Sequence, residues 1–511
     1  MSTDADVVIV GAGFAGLYML HRARQAGLDA RVFEAGGGVG GTWYWNRYPG
    51  ARCDVESMEY SFGFDDELQQ EWEWTERYAP QPEILRYAEH VAERYDLNRD
   101  ITFDTRVTSA TYDADAAHWR VQTDAGHDVV AQFVVMATGC LSSANTPDIP
   151  GAGSFAGSTY HTGQWPHAGV DFTGQRVGVI GTGSSAVQSI PLIAEQAAHL
   201  TVFQRTATYT VPAWNGPLDP IDVKETKAHY AELRAANRRM FSAFGGLIPR
   251  QDRMALEVSD AERAEEYERR WQQGGLPFLA AFNDLLIDPA ANDTARAFVV
   301  AKLRDIVDDP EVAAKLTPDQ VIGCKRLCVD TGYWETFNRP NVELVDLRET
   351  PIEAITPDGI RTSAGEHPLD AIVYATGFDA MTGALARIDI RGRDGLTLAQ
   401  AWEAGPRSYL GLMTVGFPNL FIVTGPGSPS VLANMIEAIQ QHVDWIGDCL
   451  THLREHGHRA IEATLEAQDA WVDHVNGIAD LTLFPTCNSW YLGANVPGKT
   501  RVFMPLAGFP S

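Results

Sequence analysis

DVVIVGAGFAG, residues 6–16, is the stretch that decides the fold of this 511-residue chain. A short run of β-branched and other apolar residues leads into a G-x-G-x-x-G turn, and the apolar spacing of the following LYMLHRARQAG fits a helix that ends at Gly27. Such glycines permit a tight turn and let a pyrophosphate approach the backbone at a helix N-terminus. We assign this role to Gly11, Gly13 and Gly16.

A carboxylate follows the turn at the distance that a dinucleotide site requires. The next predicted strand, DARVFEAGG, places Glu34 eighteen residues after Gly16. An acid at this position can bind the 2′-hydroxyl of a ribose. A strand, a turn, a helix, a second strand and an acid in this order indicate a dinucleotide-binding unit.

The same unit recurs downstream with one chemical difference. RVGVIGTGSSAVQ (176–188) is again a strand, a glycine turn and the start of a helix, and LTVFQRTATY (200–209) contains its second strand. Gln204 stands where the first unit has its acid. A carboxylate would repel a 2′-phosphate, whereas an arginine beside a hydroxyl can bind one. The first unit therefore predicts an FAD site and the second an NADPH site. The residues assigned to NADPH in this unit are Gly181, Gly183, Ser184, Arg205 and Thr206.

Two further segments predict how the domains are connected. FVVMATGC (133–140) and LDAIVYATGFD (369–379) have the pattern of strands that end in a glycine turn, and in flavoproteins with two dinucleotide sites such turns bound an excursion out of one domain. Between them, residues 220–320 show helical spacing, and we expect their charges to face solvent. We predict an α/β fold with two Rossmann-like dinucleotide-binding domains and a helical insertion. The predicted parts are an FAD-binding domain (1–145 and 375–511), an NADP-binding domain (146–219 and 321–374) and the helical insertion (220–320).

The composition limits the partners of the chain. Lys and Arg number 40 against 67 Asp and Glu, so the formal net charge is −27. This charge would repel nucleic acid and anionic membranes, and no apolar run reaches the roughly twenty residues of a membrane span. Six cysteines without a C-x-x-C pair argue against a disulfide scaffold, a metal site and a dithiol redox centre, and suit a reducing cytosol. We expect a monomeric cytoplasmic protein with no metal, nucleic acid or membrane as a partner.

Two longer motifs resemble the fingerprints of the Baeyer–Villiger monooxygenases. FAGSTYHTGQWPH (155–167) precedes the second dinucleotide unit, and GTWYWNRYPGARCD (41–54) follows the first. The segments ARCDVES, HTGQWPH, ATGFDAMTGAL and GPGSPSVLANM look closest to the phenylacetone and steroid monooxygenase branch, and the resemblance covers nearly the whole chain. The matching residues are Phe155, Gly157, His161, Trp165 and Pro166 in the first motif, and Gly41, Trp43, Tyr48, Pro49, Gly50 and Asp54 in the second.

This resemblance implies an activity. In the family NADPH reduces FAD, O2 adds to the flavin to give a C4a-peroxyflavin, and the peroxide attacks a small-molecule ketone that rearranges to an ester or lactone. The peroxide must stay anionic in a dry site, which calls for a fixed cation. GCKRLCVDTGYW (323–334) matches the segment that bears this cation. The implied catalytic residues are Arg326 and its partner carboxylate Asp54, and Lys325 is implied to reach the NADP phosphate.

Further site residues follow from the same resemblance. The implied FAD contacts outside the glycine turn are Gly41, Thr42, Trp43 and Asp54. Trp490, in CNSWYLGANVPGK (487–499), matches a loop residue that hydrogen-bonds the bound nicotinamide cofactor. The motif of residues 155–167 joins the two dinucleotide domains in the family, so we interpret His161 as a linker residue and not as a catalytic base. The predicted substrate pocket consists of Cys140, Leu141, Ser430, Val431, Leu432 and Met435.

The loop GPGSPSVLANM (425–435) is two residues longer than its counterpart in cyclohexanone-type relatives. The extra residues should form an apolar bulge that narrows the pocket, and apolar area favours substrates that can bury it. We therefore expect open-chain aryl or bulky alicyclic ketones to be preferred over cyclohexanone. Cys140 departs from the phenylacetone enzyme, which carries Gln there, and we interpret its thiol as a small buried side chain and not as a reactive group.

Two other functions share the dinucleotide units. One is a heteroatom oxygenase that forms sulfoxides or N-oxides, which has a shorter helical insert and a different linker motif in its known members. The other is a redox-sensing flavoprotein without turnover, against which the presence of Arg326, Asp54 and both glycine turns argues. Relatives usually continue beyond the position of Ser511, so we expect a truncated C-terminus.

Overall fold

The structure is a computed structural model that describes residues 3–248 and 252–504. The strands in chain order are β1 (Ala5–Val10), β2 (Ala30–Phe33), β3 (Ile101–Thr102), β4 (Val107–Asp113), β5 (His118–Thr123), β6 (Asp128–Met136), β7 (Ser158–His161), β8 (Arg176–Ile180), β9 (His199–Gln204), β10 (Thr210–Pro212), β11 (Cys328–Asp330), β12 (Val342–Asp346), β13 (Ile352–Thr356), β14 (Gly359–Thr362), β15 (Gly365–Pro368), β16 (Ala371–Tyr374), β17 (Asp389–Arg391) and β18 (Leu420–Ile422).

The α-helices in chain order are α1 (Phe14–Gln25), α2 (Thr42–Trp45), α3 (Asp66–Glu71), α4 (Gln81–Arg94), α5 (Ser184–Gln196), α6 (Pro220–Ala228), α7 (Tyr230–Asn237), α8 (Asp260–Gln273), α9 (Pro289–Ile306), α10 (Pro310–Leu316), α11 (Tyr333–Thr336), α12 (Gly383–Ala386), α13 (Leu398–Ala401), α14 (Met435–Glu455) and α15 (Leu465–Asp480). In the described part of the chain, no helix is both long and apolar enough to cross a membrane.

Strand β1 lies in the middle of the first sheet, whose order is β17–β4–β5–β6–β1–β2–β3 with β18 also paired to β6. It pairs in parallel with β2 on one side and β6 on the other. Val7 and Ile9 belong to one apolar core, and Val8 and Val10 belong to another. Because both faces of the strand are covered, β1 is apolar along almost its whole length instead of alternating.

The second sheet is entirely parallel and has the order β12–β9–β8–β16–β7. All of its strands lie between Ser158 and Tyr374 in the chain, whereas β17 and β18 return to the first sheet. The α/β class with two dinucleotide-binding units is therefore confirmed. This order supports a first domain made of two chain segments, while the domain boundaries stay predictions.

Helix α1 begins and ends at the predicted glycines. Its N-cap is Gly13, and Gly27 follows the helix with φ +69°, a conformation that glycine adopts without strain. A Cβ atom on Gly16 would lie 1.9 Å from the Gly11 carbonyl oxygen, and one on Gly11 would lie 2.6 Å from the Ala137 carbonyl oxygen. The turn can therefore pack this closely only because it lacks side chains.

The described residues of 220–320 form helices α6–α10, as predicted, and no strand. The expectation that their charges face solvent is wrong at two arginines. The Arg234 side chain is 5% exposed and pairs with the fully buried Glu437 at 3.3 Å, and the fully buried Arg270 pairs with Glu266 at 2.9 Å. Arg234 is covered because α7 packs against the first core through its neighbour Leu233. A buried guanidinium needs a buried carboxylate, and both arginines have one.

Candidate active site

The structure brings together Arg326 and Asp54, which are 272 residues apart in the sequence. Arg326 lies just before β11, and Asp54 lies in the irregular segment after α2. The Nε and Nη2 atoms of Arg326 donate to the two oxygens of Asp54 at 2.5 and 2.9 Å. The side chains are 18% and 24% exposed. This bidentate geometry fixes the plane of the guanidinium as well as its charge.

The ion pair keeps the arginine positive in spite of its environment. Burial by itself would lower the pKa of Arg326, but the charge of Asp54 and its hydrogen bonds outweigh burial and raise that pKa above its ordinary value. Arg326 is thus a permanent cation that cannot deliver a proton near neutral pH. Its contribution to any reaction is electrostatic.

A third hydrogen bond ties this cation to the predicted substrate loop. Nη1 of Arg326 donates to the Val431 carbonyl oxygen at 2.7 Å. Val431 lies in the short 3-10 turn Ser430–Leu432, whose first residue has φ +43°. A guanidinium has five N–H donors, and Asp54 and Val431 occupy three of them. The remaining N–H groups can face a bound ligand.

The predicted substrate-pocket residues lie together. Cys140, Leu141, Val431, Leu432 and Met435 belong to one apolar cluster, which Trp490 also contacts. The sixth pocket residue, Ser430, is buried and donates from Oγ to the Met381 sulfur at 3.6 Å. Burial raises the pKa of the Cys140 thiol, which agrees with an unreactive buried side chain.

Sequence reasoning missed several members of this cluster. They are Ala380, Met381, Val475, Ala479, Phe484, Tyr491, Phe503 and Met504. Most of them come from α15 and from the C-terminal loop after it, far in sequence from the glycine turns. Apolar residues at such positions carry no motif. One signal was available, because Met381 lies four residues after the second A-T-G turn and Cys140 directly follows the first.

The residues predicted for FAD form a cradle that fits a dinucleotide. Helix α1 has no side chain capping its N-terminus, so its first N–H groups are available to a pyrophosphate. A Cβ atom on Gly41 would lie 2.9 Å from the Gly13 Cα atom, so the two glycines face each other and leave bare backbone. The buried Glu34 carboxylate lies beside them and accepts from the Ala12 and Gly36 N–H groups at 2.6 and 2.7 Å.

The other two predicted FAD residues lie in α2. Thr42 is its first residue, and its carbonyl oxygen accepts from the Asn46 N–H at 2.9 Å. The buried Trp43 donates from Nε1 to the Tyr60 hydroxyl at 3.1 Å. Trp43 is thereby fixed close to the glycine cradle. Tyr60 was not predicted, because a single tyrosine in an irregular segment has no signature.

The second unit repeats the cradle. Helix α5 has Gly183 at its N-cap without a side-chain cap, and Ser184 is its first residue. A Cβ atom on Gly181 would lie 2.4 Å from the Ala375 carbonyl oxygen. Gln204 is fully buried and donates to the Lys315 carbonyl at 2.8 Å, so it points into the fold instead of toward a ribose. The second unit therefore has no carboxylate at the position of Glu34.

The two cations predicted to bind the 2′-phosphate, Arg205 and Lys325, lie near each other. Burial lowers the pKa of Lys325, and the neighbouring Arg205 lowers it further. Neither side chain forms an ion pair with a carboxylate in residues 3–248 or 252–504. Thr206 is held next to Arg205, since its carbonyl accepts from the Thr182 hydroxyl at 2.6 Å. Two neighbouring cations that no carboxylate binds directly fit a bound phosphate.

His161 lies close to Asn145 and Thr376, where the chain passes between the two dinucleotide units. Its Nδ1 atom accepts from the Gly163 N–H at 2.9 Å, and its Nε2 atom lies 3.4 Å from the Thr376 hydroxyl. Thr376 in turn donates to the Asn145 carbonyl at 2.6 Å. Burial lowers the pKa of His161 and keeps the ring neutral. The contacts support the interpretation of His161 as a linker residue.

The other residues of this motif pack against the protein core or make close backbone contacts. Trp165 is 2% exposed and packs against Phe172 with ring centroids 6.1 Å apart. A Cβ atom on Gly157 would lie 2.3 Å from the Asp370 carbonyl oxygen. Phe155 packs on the core beside β13, and the Pro166 carbonyl accepts from the Gly169 N–H at 3.0 Å.

The Tyr-Pro-Gly part of the second motif joins the first unit to α5. The Tyr48 hydroxyl donates to Gln188 at 2.8 Å, and the Gln188 side chain donates back to the Arg52 carbonyl at 3.1 Å. A Cβ atom on Gly50 would lie 2.3 Å from the Gln188 carbonyl oxygen, and Gly50 has φ +78°. Gln188 is a further interface residue that the motif did not indicate.

Trp490 lies in a C-terminal loop that is pinned to the second A-T-G turn. The Lys499 ammonium pairs with Asp379 at 2.5 Å, and the Asn495 amide donates to the Phe378 carbonyl at 2.7 Å. Trp490 itself packs against Tyr491 with ring centroids 4.3 Å apart. Its indole N–H has no partner in the described residues, so it is available to a ligand.

Two surface grooves have volumes of about 590 and 730 Å³. Neither is lined by Arg326, Asp54 or the predicted pocket residues. The chemistry of the side chains, and not the size of a groove, therefore locates the candidate site.

Comparison with known proteins agrees with this geometry. A family model described as pyridine nucleotide-disulphide oxidoreductase matches residues 8–234. A Baeyer-Villiger monooxygenase of Pseudooceanicola batsensis is 44% identical over 99% of this chain and 92% of its own length. A structure described as oxidized steroid monooxygenase bound to NADP is 57% identical, covers 99% of this chain and 95% of its own, and superposes with a TM-score of 0.94.

One similar protein bears on the heteroatom alternative. Phenazine N-monooxygenase PhzNO1 of Lysobacter antibioticus is 42% identical over 99% of this chain and 94% of its own length. The scaffold is thus shared with a relative named for N-oxidation. The full-length matches nevertheless include several proteins named for Baeyer–Villiger or ketone oxidation.

The chain belongs to the Baeyer–Villiger monooxygenases. It is an NADPH-dependent flavoprotein monooxygenase, and FAD and NADPH are its cofactors. The predicted family, fold class, enzyme class and cofactors are confirmed. The roles of the individual site residues stay predictions, and the glycine cradles and the unpaired cations described above fit the two cofactors.

Proposed function

We propose that this chain inserts one oxygen atom of O2 next to a ketone carbonyl, to give an ester or lactone, with Arg326 as the essential cation. The observation that carries this proposal is the position of Arg326. Its guanidinium is bound by Asp54 and by the Val431 carbonyl, so it lies at the edge of the predicted substrate pocket.

Bound FAD, reduced by NADPH, would supply the activation of O2. Arg326 contributes a fixed positive charge that stabilises negative charge on oxygen in a site with little water. Because its pKa is raised, Arg326 does not release a proton to that oxygen. Asp54 holds the guanidinium at two points, and the Val431 carbonyl holds it at a third. The cation therefore needs no reorientation when charge develops.

The neighbouring residues position the two organic molecules. Lys325, Arg205 and Thr206 would bind the 2′-phosphate of NADPH, and the free indole N–H of Trp490 would place the nicotinamide end. The apolar cluster around Cys140 would bind the ketone and exclude water. Exclusion of water strengthens the electrostatic effect of Arg326.

The oligomeric state and the location are proposals as well. We propose a monomer that acts in the cytoplasm. All six cysteines are free thiols, which suits a reducing compartment. Light scattering coupled to size-exclusion chromatography would give the mass of one chain if the proposal holds. A mass of two or more chains at working concentration would contradict it.

Replacement of Arg326 tests the proposed function. Arg326→Ala should leave the reduction of the flavin by NADPH nearly intact, because the charge serves the oxygen step. Ester formation should fall by at least about a hundred-fold, or roughly 3 kcal/mol in transition-state stabilisation, the scale of losing one preorganised donor. Anaerobic stopped-flow measures the reduction, and gas chromatography measures the ester.

A matched control is Arg120→Ala, because Arg120 also pairs with an aspartate, Asp128, but at the surface. This variant should keep both rates. Hydrogen peroxide released per NADPH should rise in Arg326→Ala and stay unchanged in the control. A normal ester yield from Arg326→Ala would remove Arg326 from the proposal. Oxidation of a sulfide or an N-heterocycle without any ketone oxidation would favour the heteroatom alternative.

A further inference from the structure

The substrate loop (residues 425–435) is held by different side chains in its two halves. In the second half, Arg326 donates to the Val431 carbonyl. In the first half, the indole N–H of Trp471 donates to the Gly427 carbonyl at 3.1 Å. Trp471 lies in helix α15, and the proposed chemistry assigns it no role.

Helix α15 contributes one face to the predicted ketone pocket. Four of its residues belong to the apolar cluster of Val431 or pack against that cluster, and their spacing of i, i+4, i+7 and i+8 places them on one side of the helix. They are Trp471, Val475, Ile478 and Ala479. Helix α15 and the substrate loop are therefore two walls of the same pocket, and the hydrogen bond from Trp471 joins them.

Two adjacent residues hold these two walls from outside the pocket. The Arg407 guanidinium pairs with Asp469 of α15 at 2.5 Å. The hydroxyl of the next residue, Ser408, donates to the Pro426 carbonyl of the substrate loop at 2.5 Å. Because Arg407 and Ser408 are neighbours, α15 and the loop start from one common support, and the hydrogen bond from Trp471 adds a direct link between them.

Trp471 binds the loop at a residue whose backbone would otherwise rotate freely. Gly427 has φ +86°, and glycine is the residue with the widest choice of backbone conformations. Its N–H donates to the Met504 carbonyl while its carbonyl accepts from Trp471, so rotation of the backbone here would break a hydrogen bond. The indole is itself oriented, because its ring packs against the pocket cluster and against His474, with ring centroids 5.4 Å apart.

We propose that Trp471 is a positioning residue that sets the width of the ketone pocket and thereby the choice of ketone. It holds the substrate loop against α15 through the Gly427 carbonyl, while Arg326 serves the oxygen step. A loosened loop would cover less of an aryl ketone, which buries more apolar area than cyclohexanone and therefore loses more binding. The role in ketone choice rests on the proposed function, whereas the hydrogen bond does not depend on the reaction.

Trp471→Phe tests the proposal because it keeps an aromatic ring and removes the N–H. The kcat/KM for phenylacetone should fall about five-fold, which corresponds to the net value of one hydrogen bond, about 1 kcal/mol. The loss should appear in KM and be smaller for cyclohexanone, so the ratio of the two kcat/KM values should fall. Flavin reduction by NADPH and the KM for NADPH should stay as in the wild type. Steady-state and anaerobic stopped-flow kinetics measure these quantities.

Trp445→Phe is the matched control. Trp445 lies in α14 and packs against Phe421 in the first apolar core, with ring centroids 6.4 Å apart. This variant should keep the ketone ratio of the wild type. Ser408→Ala removes the other side-chain hydrogen bond to the first half of the loop, so it should lower the ratio in the same direction as Trp471→Phe. An unchanged ratio in Trp471→Phe, or an equal change in the control, would overturn the proposal.

Amide hydrogen exchange of the FAD-loaded protein, without any ketone, tests the link itself. A peptide that spans the substrate loop should exchange about five-fold faster in Trp471→Phe than in the wild type, while a peptide from strand β1 should not change. Unchanged exchange of the loop would overturn the link, and faster exchange with an unchanged ketone ratio would overturn the role in ketone choice. A wild type that oxidises no ketone would overturn the proposed function and the role in ketone choice, but the exchange result would still decide whether Trp471 holds the loop.

Discussion

A guanidinium serves oxygen chemistry only while it is charged, oriented and close to the substrate. Asp54 keeps Arg326 charged and fixes the plane of its guanidinium through two hydrogen bonds. The Val431 carbonyl accepts a third hydrogen bond from the same guanidinium. The pair was predictable because both residues stand in motifs. The carbonyl was not, because every residue has one and the sequence gives no sign of where it points.

Cofactor choice should depend on Arg205. Replacement by alanine removes a charge-assisted hydrogen bond to the 2′-phosphate, worth roughly 1.5–3 kcal/mol, so the KM for NADPH should rise about ten-fold or more. The KM for NADH should hardly change, because NADH lacks that phosphate. Steady-state kinetics with both cofactors measure this. The exposed Arg339, in the same predicted domain, provides the control Arg339→Ala. Equal weakening of both cofactors would make Arg205 a structural residue.

The pH dependence of stability should contain a contribution from Asp330. Burial raises the pKa of this carboxyl to about 7, although the Tyr333 N–H donates to it at 2.6 Å. The folded state therefore holds a proton that the unfolded state releases near pH ~4. The stabilisation is complete below that pH and is lost as the pH rises to about 7.

Asp330→Asn isolates this contribution. From about pH 4 to about pH 7 the wild type should lose on the order of 2–4 kcal/mol of unfolding free energy relative to the variant. Chemical denaturation of both proteins across this range measures the difference. Parallel curves for the two proteins would show that Asp330 titrates as an ordinary carboxyl.

At the scale of elements, the loop of residues 425–435 does two things at once. Its apolar side chains Val431 and Leu432 belong to the pocket cluster, and its backbone binds Arg326. Ser430 has a positive φ and is buried, so the turn is held by its surroundings and not by its own preference. Loop length should therefore affect which ketone fits.

Deletion of Pro429 and Ser430 shortens this loop while it keeps Val431. The ratio of kcat/KM for phenylacetone to that for cyclohexanone should fall, because the narrowed apolar wall is lost and aryl substrates bury less area at about 25 cal/mol per Å². Flavin reduction by NADPH serves as the control for folding. If both ketones lose activity equally, the deletion has displaced Arg326. An unchanged ratio would show that the loop does not select substrate size.

Several helices and turns could be predicted from sequence patterns. Both glycine turns, the helices after them and the helical segment 220–320 were predicted, because tight turns and apolar spacing are local properties. The buried pair of Arg234 and Glu437 was not. Helical spacing identifies the apolar face of a helix. It does not show whether another element covers the charged face, as happens at Arg234.

At the scale of the whole molecule, the chain assembles one site from distant parts. Asp54, Arg326 and Val431 meet only because the chain leaves the first sheet after β6 and returns with β17. The resemblance to a family could supply the first two. The C-terminal members of the pocket, such as Tyr491, required the structure because the pocket residues that they join, such as Cys140 and Val431, are distant in sequence.

The stoichiometry of a single reaction tests the central claim most directly. The FAD-loaded protein receives limiting NADPH and an excess of phenylacetone under O2 enriched in the heavy oxygen isotope, and NADPH, O2, ester and hydrogen peroxide are quantified together. The account predicts one ester formed for each NADPH and each O2 consumed, with a single heavy oxygen in the bridging position of the ester. NADPH consumption that yields hydrogen peroxide and no labelled ester or lactone, with phenylacetone and with a panel of other ketones, would contradict it.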